Sequence, residues 1–511
     1  MDEIAIGVEA LTEQQVLAVA RYDARVRLSD EARKAIGASR DIIEALADDP
    51  EPHYGISTGF GALATKQIAP DDRAALQRSL IRSHAAGSGP EVEREVVRAL
   101  MLLRLSTLAT GRTGVRLETA ETYAAMLNAG ITPVVYEFGS LGCSGDLAPL
   151  AHCALAAMGE GTVRVGDTVL PAADALAAAG ITPVVLREKE GLALTNGVDG
   201  MLGMLTLATC DLALLFRTAD LAAAMSVEAQ LGTDAVFAAD LQALRPHPGQ
   251  ADSAANLRAL LADSAIMASH RTGACTRVQD AYSLRCSPQV HGAGRDTLAH
   301  ARLVRDRELA SAVDNPVVTL DGRVESNGNF HGAPVGYVLD FLAIAAADLA
   351  SVAERRTDRF LDRARNHGLP PFLADDPGVD SGYMIAQYTQ AALVSELKRL
   401  AVPASVDSIP SSAMQEDHVS MGWSAARKLR RAVDALTQVL AIEILTAARA
   451  LDLRSPLTPA PATAAARDAL RQQVAGPGPD RYLAPDIAAA VELVRSGRLV
   501  AAAEAVCGPL N

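Results

Sequence analysis

Met421–Leu451, MGWSAARKLRRAVDALTQVLAIEILTAARAL, is the stretch that decides the fold. Its apolar residues Ala426, Leu429, Val433, Leu436, Leu440 and Ile444 recur every three or four positions. That spacing puts them on one stripe of an α-helix. No proline or internal glycine interrupts the run after Gly422, so the sequence predicts one long helix here. Arg427, Lys428, Arg430 and Arg431 near its start read as a solvated helix face or a subunit contact.

Working outward, the same period predicts long helices over 200–230, 334–356 and 385–400. Prolines 456, 459, 461, 477 and 479 then punctuate shorter ones. Toward the N-terminus the pattern alternates. Helices are predicted over 11–28, over 30–47 with Ser29 as N-cap, over 71–84 and over 91–108. A loop covers 51–70, where Gly55, Gly59 and Gly61 break any period. The pentapeptide Ile-Thr-Pro-Val-Val occurs at 131–135 and again at 181–185, each copy following Ala-Gly and reading as a short β segment. The expected fold is therefore mainly α. It is a long antiparallel helical bundle with a loop-rich N-terminal portion over 1–200 and a long-helix portion over 201–511.

Composition agrees. Of 511 residues, 49% are hydrophobic and 4% aromatic, so Ala, Leu and Val must fill the core, which suits helix-on-helix packing. The net charge of −14, with no basic tract, gives no footprint for nucleic acid and disfavours anionic membrane surfaces. The most apolar stretch, 201–216, contains Asp211 and is short of the ~20 residues a bilayer span needs, so it reads as a core helix. The six cysteines include no C-x-x-C pair, and the first residues lack a basic segment followed by an apolar one. A cytoplasmic setting without disulfides is expected.

Two polar, glycine-bearing loops follow the repeated pentapeptides: Gly139-Ser-Leu-Gly-Cys-Ser-Gly-Asp-Leu-Ala-Pro-Leu-Ala-His152 and Gly191-Leu-Ala-Leu-Thr-Asn-Gly197. Taken alone, Cys143-Ser144-Gly145 is a turn before a helix cap. It is not a hydrolase elbow, because Gly-x-Ser-x-Gly is absent. In a tight bend, however, the nitrogen of Gly145 can approach the carbonyl carbon of Cys143, since glycine has no Cβ in the way. Attack closes a five-membered ring. Loss of water and of the Ser144 hydroxyl then leaves an exocyclic methylidene, a carbon electrophile that side chains do not otherwise supply.

These residues resemble the signature of the ammonia-lyase and aminomutase family that carries a 4-methylideneimidazol-5-one (MIO) group. Ala-Ser-Gly is the family's commonest triplet, and here Cys143 takes the alanine place. The resemblance runs from Tyr54 to Leu451 through several separate motifs. It implies that MIO forms from Cys143-Ser144-Gly145 without an external cofactor. Tyr54, in His53-Tyr-Gly-Ile-Ser-Thr-Gly-Phe-Gly61, resembles the base on a mobile inner lid; a tyrosine can serve once nearby charge or donors lower its pKa. Ser57 departs from the Asn often found there. The resemblance further implies that Asn196 contacts the electrophile or the substrate amine. Gln279, Tyr282 and Arg285 lie in Val278-Gln-Asp-Ala-Tyr-Ser-Leu-Arg-Cys286. Arg285 would clamp the substrate carboxylate with its planar guanidinium, and Tyr282 would support amine transfer. Phe330, in Ser326-Asn-Gly-Asn-Phe-His331, would pack beside the electrophile. A homotetramer with each site assembled from three subunits is also implied.

Two places bear on the substrate. His84, in the Ser83-His84 pair, occurs in both histidine- and tyrosine-selective relatives. Glu416, in Gln415-Glu-Asp-His-Val-Ser-Met421, looks like the histidine-specific form. Imidazole has two nitrogens that need partners, and each costs about 1–3 kcal/mol if buried unpaired. Glu416 and His84 can supply those partners, whereas a carboxylate facing a benzene ring would be unpaired. The expected reaction is elimination of ammonia from L-histidine to give trans-urocanate. The alternatives are a tyrosine ammonia-lyase or aminomutase, a non-catalytic binding protein on the same scaffold, and a fumarase-like lyase, whose Gly-Ser-x-x-Met-Pro loop is absent. His152, His331 and His418 lie far apart in sequence without metal-ligand spacing, so no catalytic metal is expected.

Overall fold

A computed structural model of the chain describes residues 3–60, 63–271, 275 and 278–511; Gly61 of the lid motif lies outside them. The protein is mainly α-helical, with a few short strands. Its contacts divide into two compact units, each drawn from three stretches of chain. One comprises Met1–Leu207, Arg302–Asp340 and Pro403–Arg427. The other comprises Ala208–Ala301, Phe341–Val402 and Lys428–Asn511.

In the first unit, helix Arg94–Ala109 is the hub: every side chain from Val96 to Ala109 is buried. Helix Asp30–Ala47 begins at the predicted cap, where the Ser29 hydroxyl accepts the Ala32 N–H at 3.1 Å. The helix predicted over 11–28 is shorter. It spans Glu13–Tyr22, opened by a Thr12/Gln15 capping box and closed by Asp23 in the left-handed conformation. Val26–Leu28 then pairs in parallel with Ile4–Ile6, with Val26 and Leu28 on the buried face and Arg27 on the exposed one, as a strand requires. The two pentapeptides also diverge. Thr132–Pro133 joins a small antiparallel sheet with Thr162–Val165 and Thr168–Pro171, but the copy at 181–185 forms no strand. Its Val184 N–H donates instead to the carbonyl of Ala157, at 2.9 Å.

In the second unit the long helices predominate. The helix predicted from the opening stretch spans Gly422–Leu453, and from Leu436 onward it is buried on nearly all faces rather than on one stripe. Several of its buried polar groups find partners. Thr437 and Thr446 donate to carbonyls one turn back at 2.8 Å, and Glu443 accepts from Arg356 Nε (2.5 Å) and Nη2 (3.0 Å) and from Ser226 (2.7 Å). The expected solvated basic cluster is only half solvated. Arg427 and Arg430 are 7% and 9% exposed and pair with Glu93 and Asp211, whereas Arg431 is exposed. Helices Asp199–Ala229 and Ala333–Leu361 are long and apolar enough to cross a membrane by length and composition. Yet 78% and 61% of their most apolar windows are buried in the protein, as in core helices.

Candidate active site

The Cys143-Ser144-Gly145 bend belongs to the first unit and is held from several sides. Gly145 has φ +86°, and a Cβ there would lie 1.9 Å from the Gly197 carbonyl oxygen. No other residue fits such a backbone-to-backbone approach. The two polar loops meet at this point. Asp146 N–H donates to Gly197 O at 2.7 Å, and Gly197 N–H donates to Ser144 O at 3.2 Å. Gly197 is crowded in turn, since a Cβ on it would fall 2.1 Å from Arg104 Nη2.

Asp146 joins the bend to the start of helix Asp199–Ala229. Its Oδ2 accepts the Gly200 and Met201 N–H groups, each at 2.9 Å, and its Oδ1 accepts the Ser140 hydroxyl at 3.0 Å. These are orphan donors of a helix N-terminus, where an acceptor is favoured. Full burial nevertheless pushes the Asp146 carboxyl up to about 7. Arg104, fully buried on the hub helix, spans the second loop: Nη1 donates to Ala193 O (2.9 Å) and Asn196 O (2.7 Å), and Nη2 to Asp199 Oδ2 (2.6 Å). From the other side, Met421 N–H donates to Leu141 O at 2.9 Å and the Ser420 hydroxyl to Gly142 O at 3.3 Å.

Cys143 and Ser144 form part of the wall of a cavity of about 510 Å³, which Tyr54, Asn315, Asn327, Phe330, His331, Glu416 and His418 also line. That volume suits an amino-acid-sized ligand. Glu416 is presented by a tight loop in which Ser412, Ala413 and Met414, none of them glycine, have φ between +50° and +67°. Such backbone is costly and clusters at functional sites. Ser411 and Glu416 close the loop through two backbone hydrogen bonds, of 2.9 and 3.3 Å, and the Ser411 hydroxyl donates to Glu416 Oε2 at 2.9 Å. Burial, followed by the neighbouring Glu416 carboxylate, pushes the Cys143 thiol up to about 12. Burial also lowers His84, opposed by a hydrogen bond to the Leu80 carbonyl and by the charge of Glu416. Its imidazole is therefore neutral at neutral pH.

The structure thus brings Tyr54, Cys143, Ser144, Phe330 and Glu416 around one cavity, with His84 near enough to Glu416 to feel its charge. Asn196 sits one layer back. It is buried, and its side-chain amide donates to the carbonyls of Leu192 (3.1 Å) and of the cavity-lining Asn315 (3.2 Å). Gln279, Tyr282 and Arg285 do not line this cavity and belong to the second unit. There the Arg285 guanidinium lies 4.7 Å from the centroid of the Tyr282 ring, and Tyr282 is 71% exposed.

Sequence reasoning passed over Asp146, Arg104 and Asn315. The available signal for Arg104 was a lone arginine inside an otherwise apolar helix, where a buried cation needs buried acceptors. Separation along the chain also misled for two histidines. His331 and His418 stack face to face in the cavity wall, 5.5 Å apart and within 4° of parallel. Among the described residues, no three His, Cys, Asp or Glu side chains are grouped as a metal site.

The pattern of the aromatic amino acid lyases matches residues 11–472. The chain belongs to the aromatic amino acid lyase family. It is 69% identical to a histidine ammonia-lyase of Streptomyces avermitilis and 67% identical to one of Streptomyces coelicolor, over all of both chains in each case. Among solved structures it resembles tyrosine aminomutase from Streptomyces globisporus, with a TM-score of 0.93 at 39% identity over 99% of both chains. It also resembles histidine ammonia-lyase from Trypanosoma cruzi, with a TM-score of 0.91 at 37% identity, covering 99% of this chain and 95% of that one.

Proposed function

We propose that this chain is an ammonia-lyase that converts L-histidine to trans-urocanate and ammonia. The observation that carries this reading is one cavity lined by Ser144, Cys143, Tyr54 and Glu416. The residues fit the MIO group that the family resemblance implies. The Gly197 carbonyl leaves no room for a Cβ at Gly145, so the residue whose nitrogen would close the ring must be glycine, and Ser144 lines the cavity. When formed, the group supplies an electrophilic carbon that turns the substrate amine into a better leaving group.

The side chains would do the rest. Glu416 and the neutral His84 bind the two imidazole nitrogens and orient the ring. The Tyr54 phenolic oxygen takes the proton from the substrate β-carbon. The C–H electron pair becomes the new Cα=Cβ bond as the amine departs. Phe330 bounds the reacting face, and Asn196 holds Asn315 in the wall. On the family resemblance, Gln279, Tyr282 and Arg285 reach the cavity from another copy of the chain in a homotetramer. There Arg285 pairs with the substrate carboxylate and Tyr282 assists the amine; the exposure of Tyr282 supports this reading. A cytoplasmic setting is part of the proposal, supported by six cysteines of which none is joined in a disulfide.

The second reading is a tyrosine aminomutase, favoured by the structural likeness to that enzyme. The Glu416 carboxylate and the 67–69% identity to histidine ammonia-lyases weigh against it. Turnover of L-histidine, L-tyrosine and L-phenylalanine side by side decides the matter. Urocanate from histidine alone supports the proposal, β-tyrosine supports the second reading, and no turnover of any substrate removes both.

A further inference from the structure

The loop that carries Tyr54 rests on two pieces of chain. A Cβ on Gly55 would fall 2.5 Å from Leu192 Cδ1, in the second polar loop, and 3.5 Å from Pro316 Cδ. Ile56, the next residue, is fully buried and packs in one cluster with Val318. The seat of the Tyr54 loop is therefore made by 189–197 on one side and 314–318 on the other. A buried ion pair ties these two pieces together. Lys189 Nζ donates to Asp314 Oδ2, and both side chains are completely buried. Asp314 extends the tie into the cavity wall. Its Oδ1 accepts the Asn315 N–H at 2.7 Å, and its carbonyl accepts the Asn327 side-chain amide at 2.9 Å. Asn315 Oδ1 in turn accepts the Asn327 N–H at 3.0 Å, and both asparagines line the cavity with Tyr54. Lys189 holds its place with φ +72°, a conformation that glycine would adopt at less cost. A buried ion pair adds little net stability, so stability alone does not account for it. It does fix one geometry between the two loops.

We propose that Lys189 is a positioning residue for Tyr54: its pair with Asp314 locks the two halves of the seat on which the Tyr54 loop rests. The inference rests on the reading of Tyr54 as the base. With the tie cut, residues 189–197 and 314–318 shift independently, and the phenolic oxygen no longer meets the substrate β-carbon at reacting distance. A misplacement of about 1 Å at a reacting group costs about 10²-fold in rate.

The test separates position from folding. Lys189→Met alone strands a buried carboxylate and destabilises the chain. Lys189→Met/Asp314→Asn leaves no buried charge, and the new amide oxygen still accepts the Asn315 N–H, so its midpoint in denaturant stays close to that of the unsubstituted chain. Turnover of L-histidine is then counted per chain whose 139–152 peptide has lost two water molecules, which removes any effect on ring formation. The double variant is expected to lose about 10- to 100-fold in kcat, with KM within about threefold, since the loss falls on the reacting geometry and not on ground-state binding. In a Tyr54→Phe background the same double change costs no more than about twofold, because the two sites act as one unit. An unchanged kcat, a rise in KM in place of the fall in kcat, or a full-sized loss in the Tyr54→Phe background would each overturn the assignment. If Tyr54→Phe alone leaves kcat unchanged, the reading of Tyr54 as the base falls and the role of Lys189 with it. If Tyr54→Phe abolishes most of the turnover and the double variant does not lower it, the role of Lys189 alone is lost.

Discussion

Each of the two units buries an arginine completely, and the two arginines serve different ends. In the first unit Arg104 gives one nitrogen to Asp199 and the other to the carbonyls of Ala193 and Asn196, so its charge organises irregular backbone beside the reactive bend. In the second unit Arg356 is bound through two nitrogens to both oxygens of Glu443, and it locks one long helix to another. A buried ion pair is a poor source of net stability, because desolvation offsets most of the attraction. The second unit could replace its pair with well-packed apolar side chains and still fold as packed helices. The first could not, because loop carbonyls with no helical partner need a buried donor.

That contrast can be broken or sharpened by substitution. The largest effect is expected at the bend itself: Ser144→Ala should lower turnover by at least about 10³-fold with an unchanged melting temperature, since the hydroxyl is chemistry and not packing. Tyr54→Phe should cost about 10²–10⁴-fold in kcat, the range for loss of a general base, with little change in KM.

Removing either buried arginine should cost about 3–5 kcal/mol in denaturant unfolding, because each leaves a buried carboxylate unpaired. The readouts then part. Arg356→Met should leave kcat per folded molecule within about twofold, whereas Arg104→Met should lower it along with stability. Equal kcat losses would erase the distinction between the units. Glu416→Gln should lower kcat/KM for L-histidine by about 10- to 100-fold, through a lost hydrogen bond to a charged acceptor.

The last effect concerns pH. Asp146 has its carboxyl raised to about 7 by burial, so the folded state favours its protonated form. Its contribution to stability is complete below its ordinary value of 3.8 and is lost as pH rises through about 7. Stability of Asp146→Asn, measured by thermal unfolding across that window, should lack this loss. A curve parallel to that of the unsubstituted chain would mean that Asp146 does not titrate there.

The two units were also unequally legible in the sequence. Long helices declare themselves by period, and the helices predicted from residues 200, 334, 385 and 421 appear within a few positions of their expected bounds. The all-round burial of Leu436–Leu451 was hidden because threonine, glutamate and arginine on that helix read as a polar face. The threonines turn back onto their own helix, and the partners of Glu443 and Arg449 lie on distant parts of the chain. The strand at Val26–Leu28 was hidden because its partner, Ile4–Ile6, is too short to carry a pattern of its own. At the site, the cavity-lining residues Tyr54, Ser144 and Phe330 could be picked out from their glycine-bearing motifs. The residues that hold those loops could not: Arg104 and Asp146 act through backbone contacts that leave no spacing in the sequence.

The central claim is that the first unit bends Cys143-Ser144-Gly145 against Gly197 so that the chain makes its own electrophile. Mass measurement of the proteolytic peptide spanning residues 139–152 from the purified protein tests this most directly. The expected peptide is lighter than its sequence by two water molecules, with that change absent in Ser144→Ala. A peptide of full unmodified mass from protein that turns over L-histidine would contradict it.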